Sequence, residues 1–384
     1  MTTVLPGATI GILGGGQLGR MTAMAARTLG YDVHALDPDV ACPAGPVVDR
    51  LVTARFDDAE AAGELARNCQ VVTLEIEQIG TASLAAAARH APVRPSPRIV
   101  AMVQDRAVQK RWLVEHGFPL GEYMEVSSEE LLHQAASRFG ALFVKATHGG
   151  YDGRSQARVG GVGDVAEAWR ALARPDGTRR LAVAEQALDL EAELSVMVAR
   201  APSGETAVYP PALNHHERQV LSWSVIPAPL PPAVSARALE LASDIAAALE
   251  LEGLVAVEMF LTRDGRLLVN ELAPRPHNSF HETELACLTS QFEQLVRAVC
   301  NLPLGDTTVV RPAAIVNVFG DLWTDGQQPP FHRALAEPGT RLHLYGKRVA
   351  RPGRKMGHVS ALGETPDEAL ARAQAAAAQL IADS

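Results

Sequence analysis

The chain is poor in cysteine: four in 384 residues, at positions 42, 69, 287 and 300, with no CxxC pair. That spacing argues against a disulfide framework or a zinc knuckle and suits a reducing compartment. Positive charge is also short. Lys and Arg number 35 against 44 Asp and Glu, a formal net charge of −9, so non-specific binding to nucleic acid is not expected. No apolar run reaches the ~18 residues needed to span a bilayer, so no membrane partner is expected. The N-terminal MTTVLPGATIGILGGG has no basic stretch, and glycines interrupt its apolar run. A cytoplasmic location is therefore the expectation. The GxxxxGK[ST] pattern is missing, which excludes a P-loop ATPase. What is present is ordinary globular material, 47% hydrophobic and 21% charged, enough for two or three domains at ~150 residues each.

The first ~100 residues alternate strand and helix signals. ATIGIL, YDVHALD and VVTLEIE read as strands and MTAMAARTLG as a helix, the rhythm of a parallel doubly wound α/β sheet. Proline-rich APVRPSPR marks a boundary. A helix over 104–116 follows, then short strands with glycine-rich turns (ALFVKATHGGYDGRSQARVGG, LAVAEQAL, AELSVMVAR), a helix over 235–251 and the hairpin VAVEMFLTRDGRLLVNEL. This mixture reads as α+β. A last unit carries AAIVNVFG and RLHLYG and closes with an Ala-rich helix from Pro366.

Four constellations carry chemistry. Gly14-x-Gly16-x-x-Gly19 after a strand, with Asp37 at the end of the next, meets the dinucleotide fingerprint. NAD, another phosphate ligand, or plain helix–strand packing all satisfy it. The second is the hairpin. A two-residue Asp264-Gly265 turn pairs Arg263 with Arg266 and carries on to set Glu258 opposite Glu271, Cβ atoms ~5 Å apart. Two facing carboxylates repel unless a cation lies between them, which describes a Mg²⁺–nucleotide site. Val257, Met259 and Leu261 make the other face the buried one. Third, Lys145 at a strand end precedes a glycine-rich loop that can close over phosphates. Fourth, Lys347, Arg351, Arg354 and Lys355 in YGKRVARPGRKMGH form a basic loop able to hold an anion.

Taken in order, GGGQLGR, DRAVQKRWL, GGYDGRSQ, VAEQAL, VAVEMF, NELAPRPHNS, SQFEQ and RPGRKMGH resemble the ATP-grasp superfamily and, within it, the N5-carboxyaminoimidazole ribonucleotide synthase (PurK) family. The loop has Ser155 where the family has its second glycine. The resemblance implies three domains: a pre-ATP-grasp α/β domain over 1–100, an ATP-grasp domain with a lid over 101–303, and a C-terminal domain over 304–384. It implies ATP contacts from Arg106, Lys145, the loop Gly150, Tyr151, Asp152, Gly153, Arg154, Ser155 and Gln156, then Glu185, Gln186, Ala187, Leu188, Glu193, His216, Asn270 and Glu271. Mg²⁺ or Mn²⁺ would sit on Glu258 and Glu271. Bicarbonate and the reacting amine would meet Arg275, His277, Asn278, Tyr151 and Asp152. The acceptor, 5-aminoimidazole ribonucleotide, would be held by Gln17, Leu18, Glu75, Asn278, Lys347, Arg354 and Lys355. A homodimer is implied. Formate-dependent glycinamide ribonucleotide transformylase, a nicotinamide oxidoreductase and a non-catalytic nucleotide-binding regulator are the competing readings.

Overall fold

In this computed structural model the described residues are 2–149, 156–172, 181–324 and 327–381. The N-terminal unit is a four-stranded parallel sheet of β1 (Thr9–Leu13), β2 (Asp32–Asp37), β3 (Arg50–Thr53) and β4 (Val71–Leu74), in the order β3-β2-β1-β4. Ile10, Ile12 and Leu13 are buried. Helix Gln17–Thr28 follows the glycine turn directly, as the sequence rhythm predicts.

The expected helix over 104–116 is Arg106–Glu115, and a separate helix that the sequence reading lacked, Pro97–Gln104, precedes it. The break is Asp105, whose extended backbone and side chain, accepting from the N–H groups of Ala107 and Val108, make it the N-cap of the second helix. That start puts Arg106 at the first position, beside the site.

A second four-stranded sheet, wholly antiparallel, comprises β5 (Tyr123–Val126), β6 (Leu142–Ala146), β7 (Gln156–Val159) and β8 (Ala182–Gln186), in the order β5-β8-β6-β7. Helices Glu129–Phe139 and Val165–Ala171 pack on it through Leu132, Ala135, Val165 and Ala168.

The third sheet has nine strands: β9 (Leu190–Arg200), β10 (Thr206–Val208), β11 (Ala212–Glu217), β12 (Val220–Ile226), β13 (Gly253–Thr262), β14 (Leu267–Ala273), β15 (Ala313–Phe319), β16 (Thr340–Leu344) and β17 (Lys355–Leu362). Its order is β14-β13-β9-β11-β12-β15-β17-β16, with β10 on β9. Strand β12 pairs with β15, so the C-terminal strands extend the sheet that carries the hairpin. Strand β17 was not legible in the sequence: Lys355 to His358 read there as the end of a basic loop. The segment is strand because it lies between β15 and β16, where Met356 through Ala361 are buried. A Cβ at Gly357 would lie 2.4 Å from the His343 carbonyl oxygen, so glycine alone lets the two backbones approach. Ile10 and Ile12 share one core with Met197, Leu254 and Leu295, which fixes the N-terminal sheet against the large one.

Candidate active site

The hairpin pairs Glu258 directly with Glu271, as read from the sequence, but by a different route. The turn is one residue longer than expected: Thr262 N–H donates to the Arg266 carbonyl at 2.9 Å, leaving Arg263, Asp264 and left-handed Gly265 as the loop. A bulge between Glu258 and Met259 then restores the register, with Met259 opposite Val269 and Asn270 as the extra residue. A bulge turns its extra side chain toward the site. Here Asn270 Nδ2 donates to Glu258 Oε2 at 3.2 Å. Val257, Met259 and Leu261 are buried on the opposite face, as expected.

Each of the two carboxylates meets a nitrogen partner. Arg106 Nη1 lies 3.2 Å from Glu271 Oε2, and His277 Nε2 lies 3.1 Å from Glu258 Oε1. Burial raises Glu258, but its contact with His277, together with His216 and Asn270, outweighs it and holds this carboxyl below its usual range. Two carboxylate oxygen donors on one face, with an amide oxygen beside them, fit a divalent cation.

From the smaller sheet, Lys145 Nζ at the end of β6 donates to Glu185 Oε2 at 2.8 Å, and Lys110 Nζ lies 3.3 Å from Glu185 Oε1. Burial pushes Glu185 up, but Lys110, Lys145 and Arg106 together overcome it and pull it down to about 2. Lys110 was not singled out from the sequence, yet it stands four residues after Arg106 and therefore on the same helix face. Gln186, Ala187 and Leu188 follow Glu185, with Ala187 N–H bonded to the Ala141 carbonyl at 2.9 Å. Glu193 on β9 and His216 on β11 meet at 2.8 Å. Burial lowers His216, but Glu193 prevails and raises it. Gln156 opens β7 and reaches Gln219 Oε1 at 2.6 Å. Gly150, Tyr151, Asp152, Gly153, Arg154 and Ser155 lie outside the described residues.

The glycine turn is explained internally. Gly15 N–H donates to Asp37 Oδ2 at 2.8 Å, and Gly16 and Gly19 N–H donate to Glu75 at 2.9 and 3.2 Å. Asp37 is buried and also accepts from Asp39 N–H. The acid that the dinucleotide fingerprint reserves for ribose is thus consumed by the fold. A Cβ on Gly16 would lie 2.5 Å from Glu75 Oε1.

Across the chain, Lys347 Nζ donates to Gln17 Oε1 at 2.7 Å and to the Lys355 carbonyl at 2.6 Å. Gln17 Nε2 reaches Asn278 Oδ1 at 3.4 Å, as does the Tyr345 hydroxyl. The glycine turn and the C-terminal basic loop thereby converge, 330 residues apart. Leu18 is buried among Met21, Phe292 and Tyr345, so only its backbone can face a ligand. Arg354 donates to the Val349 carbonyl of its own loop at 2.7 Å. Arg275 pairs with Glu77 at 2.7 Å. Glu77 and Tyr345 carried no sequence signal of their own.

Basic side chains and paired carboxylates set on facing antiparallel sheets define an ATP-grasp enzyme, and residues 111–292 match the family described as "ATP-grasp domain". Residues 7–104 match a "Ribonucleotide synthetase preATP-grasp domain" and 313–372 a "Phosphoribosylaminoimidazole carboxylase C-terminal domain". The chain is 39% identical over 366 residues to the N5-carboxyaminoimidazole ribonucleotide synthase of Bacillus subtilis, covering 95% of this chain and 94% of that one. A crystal structure of the ADP complex of purK, N5-carboxyaminoimidazole ribonucleotide synthetase, superposes with a TM-score of 0.91 at 40% identity, over 98% of both chains. The Aspergillus clavatus N5-carboxyaminoimidazole synthase, in complex with ADP and 5-aminoimidazole ribonucleotide, gives 0.87 at 32% identity over 97% of this chain and 98% of that one. The chain belongs to the N5-carboxyaminoimidazole ribonucleotide synthase family of ATP-dependent ligases. Neither the transformylase nor the oxidoreductase reading is favoured. Among the described residues, no helix is long and apolar enough to cross a membrane.

Proposed function

We propose that this chain carboxylates 5-aminoimidazole ribonucleotide to N5-carboxyaminoimidazole ribonucleotide, using ATP and bicarbonate, in purine biosynthesis. The observation that carries the reading is the segment Arg275 to Asn278. Its His277 touches the hairpin carboxylate of Glu258, and its Asn278 touches the Gln17–Lys347 group, so the candidate metal–nucleotide group and the candidate acceptor group stand side by side. Bicarbonate oxygen attacks the γ-phosphorus and ADP leaves, giving carboxyphosphate. That splits into CO₂ and phosphate, and the amine adds to CO₂ and loses a proton.

Arg106 and Lys145 would neutralise phosphate charge, and Glu185, Glu193 and His216 would meet the nucleoside. Glu258, Glu271 and Asn270 would hold Mg²⁺ or Mn²⁺, which when bound screens the phosphate oxygens. Arg275 and His277 would orient bicarbonate. Gln17, Glu75, Asn278 and Lys347 would hold the acceptor, with Leu18 contributing backbone. Arg354 and Lys355 belong to the same reading, as do Tyr151 and Asp152 on the loop outside the described residues. Domain limits near 100 and 303, a cytoplasmic location and a homodimer complete it. The test is ADP release with bicarbonate, with and without the ribonucleotide. Release that ignores the ribonucleotide would overturn the reading.

Lys347→Ala should raise the KM for the ribonucleotide far more than that for ATP. A charge-assisted hydrogen bond contributes ~1.5–3 kcal/mol, or about 10- to 150-fold. Separate titrations of the two substrates check this. A loss confined to ATP would place Lys347 on the wrong ligand.

A further inference from the structure

Glu282 is fully buried; its Oε1 lies 3.0 Å from the Ser224 hydroxyl, and its Oε2 has no hydrogen-bond partner among the described residues. From that contact an unbroken path leads to the active site. Ser224 Oγ lies 3.1 Å from Asn214 Oδ1, and Asn214 Nδ2 lies 3.0 Å from Ser195 Oγ. Ser195 Oγ lies 2.7 Å from Ser279 Oγ, which lies 2.8 Å from His277 Nδ1. His277 Nε2 ends the path on Glu258 Oε1 at 3.1 Å. Ser195, Ser224 and Ser279 have no solvent exposure, so no water competes for these groups.

With Glu282 protonated, the donors can run in one direction through the whole path. Ser224 Oγ is surrounded by three oxygens at 3.0–3.1 Å, those of Asn214, Ser279 and Glu282. One hydroxyl proton cannot serve all three. A protonated Glu282 supplies a second, donating to Ser224, which in turn donates to Asn214 Oδ1. Asn214 Nδ2 then donates to Ser195, Ser195 to Ser279, and Ser279 to His277 Nδ1. The Ser279 backbone N–H also points at that nitrogen, at 3.4 Å. His277 is thereby fixed as the tautomer that donates Nε2–H to Glu258.

We propose that Glu282 is a positioning residue for the reaction read above: its neutral carboxyl sets the polarity of this chain and so the tautomer of His277 against Glu258. Ionising Glu282 reverses every link. Ser224 then donates to the carboxylate, the Asn214 amide turns, Ser195 and Ser279 donate the other way, and His277 must donate from Nδ1, stripping Glu258 of its hydrogen bond. Burial is what holds Glu282 neutral, raising it to about 8 against weaker opposition from a backbone group and Ser224. The titratable groups on elements packed beside it are His215, His216 and Glu217 on β11, Lys355 and His358 on β17, and His277, His281, Glu284 and Cys287 on its own segment. Of these, Cys287 is the thiol that Glu282 helps, after burial, to raise to about 12.

The experiment records the imidazole nitrogens of His277 by NMR and the pH profile of ribonucleotide-dependent ADP release. Wild type should show protonated Nε2 at neutral pH and lose turnover above pH about 8. Glu282→Gln keeps a neutral donor and should retain the tautomer while losing that alkaline limb. Glu282→Ala, and Ser195→Ala should the first fail to fold, should mix the tautomers and lower kcat about 10- to 100-fold, as for other orienting partners. An unchanged tautomer in the alanine variants, or the same alkaline limb in Glu282→Gln and wild type, would overturn the proposal. The NMR arm needs no substrate, so its failure is distinct from failure of the functional reading.

Discussion

Glu271→Gln should lower turnover at limiting Mg²⁺ about 10²- to 10³-fold, the usual cost of one charge-stabilising group, and leave the chain folded. Glu258 and Glu271 face each other across the bulged pair, so the substitution removes half of a two-carboxylate site. The stability side follows from burial. Glu271 is 43% exposed while Arg106 is 16% exposed, so neutralising Glu271 leaves its partner buried. Arg106 does not become an orphan, because Glu185 and Glu258 also hold it charged against burial. Relief of like-charge repulsion offsets part of the lost attraction. A Mg²⁺ titration of turnover together with thermal melting checks both halves. Wild-type turnover at limiting Mg²⁺ would remove the hairpin from the metal assignment.

Glu185→Gln should cost about 3–5 kcal/mol of folding stability, the range for breaking a buried ion pair from one side. The carboxylate serves two cations at once, Lys145 at 2.8 Å and Lys110 at 3.3 Å, and Lys110 is only 4% exposed. Without the charge, both ammonium groups stay buried beside Arg106. Burial, aided by the neighbouring charges of Lys145 and Arg106, lowers Lys110, and Glu185 is the main force against it. The pH dependence has a definite sign. Glu185 titrates lower folded than unfolded, so its contribution is full above its ordinary carboxylate value and is lost as pH falls toward about 2. Denaturant unfolding at neutral pH and near pH 3 should show wild type retaining part of this advantage over Glu185→Gln at the lower pH. Equal stability of the two proteins at neutral pH would show that Glu185 is not the counter-charge for this cluster.

Local signals carried much of the site. The parallel N-terminal rhythm, the hairpin, the glutamate pair and Lys145 at a strand end stand in the sequence because each depends on neighbours a few residues apart. The hairpin also shows the limit of such reading. Its pair came from a turn one residue too short, and a bulge at Asn270 supplied the missing residue. Bulges have no short-range signature, since the extra residue is tolerated only where the sheet and site accept it. The start of the helix after Asp105 was legible to within two residues, whereas the separate helix Pro97–Gln104 before it was not.

Composition and pattern by themselves determined a disulfide-free, net-acidic globular chain, its α/β opening, its α+β centre and the order of its candidate site motifs. These follow from charge totals, periodicity and turn chemistry, which are local. Tertiary structure alone decided that Glu75 and Asp37 fill the glycine turn, that Lys347 meets Gln17, that Lys110 joins Lys145 on Glu185, and that Glu282 reaches Glu258 through five intervening side chains. Each of these joins groups distant in sequence through buried contacts. Only the packing of three sheets on shared cores sets such distances, because a donor finds its acceptor there only after water has been excluded from both.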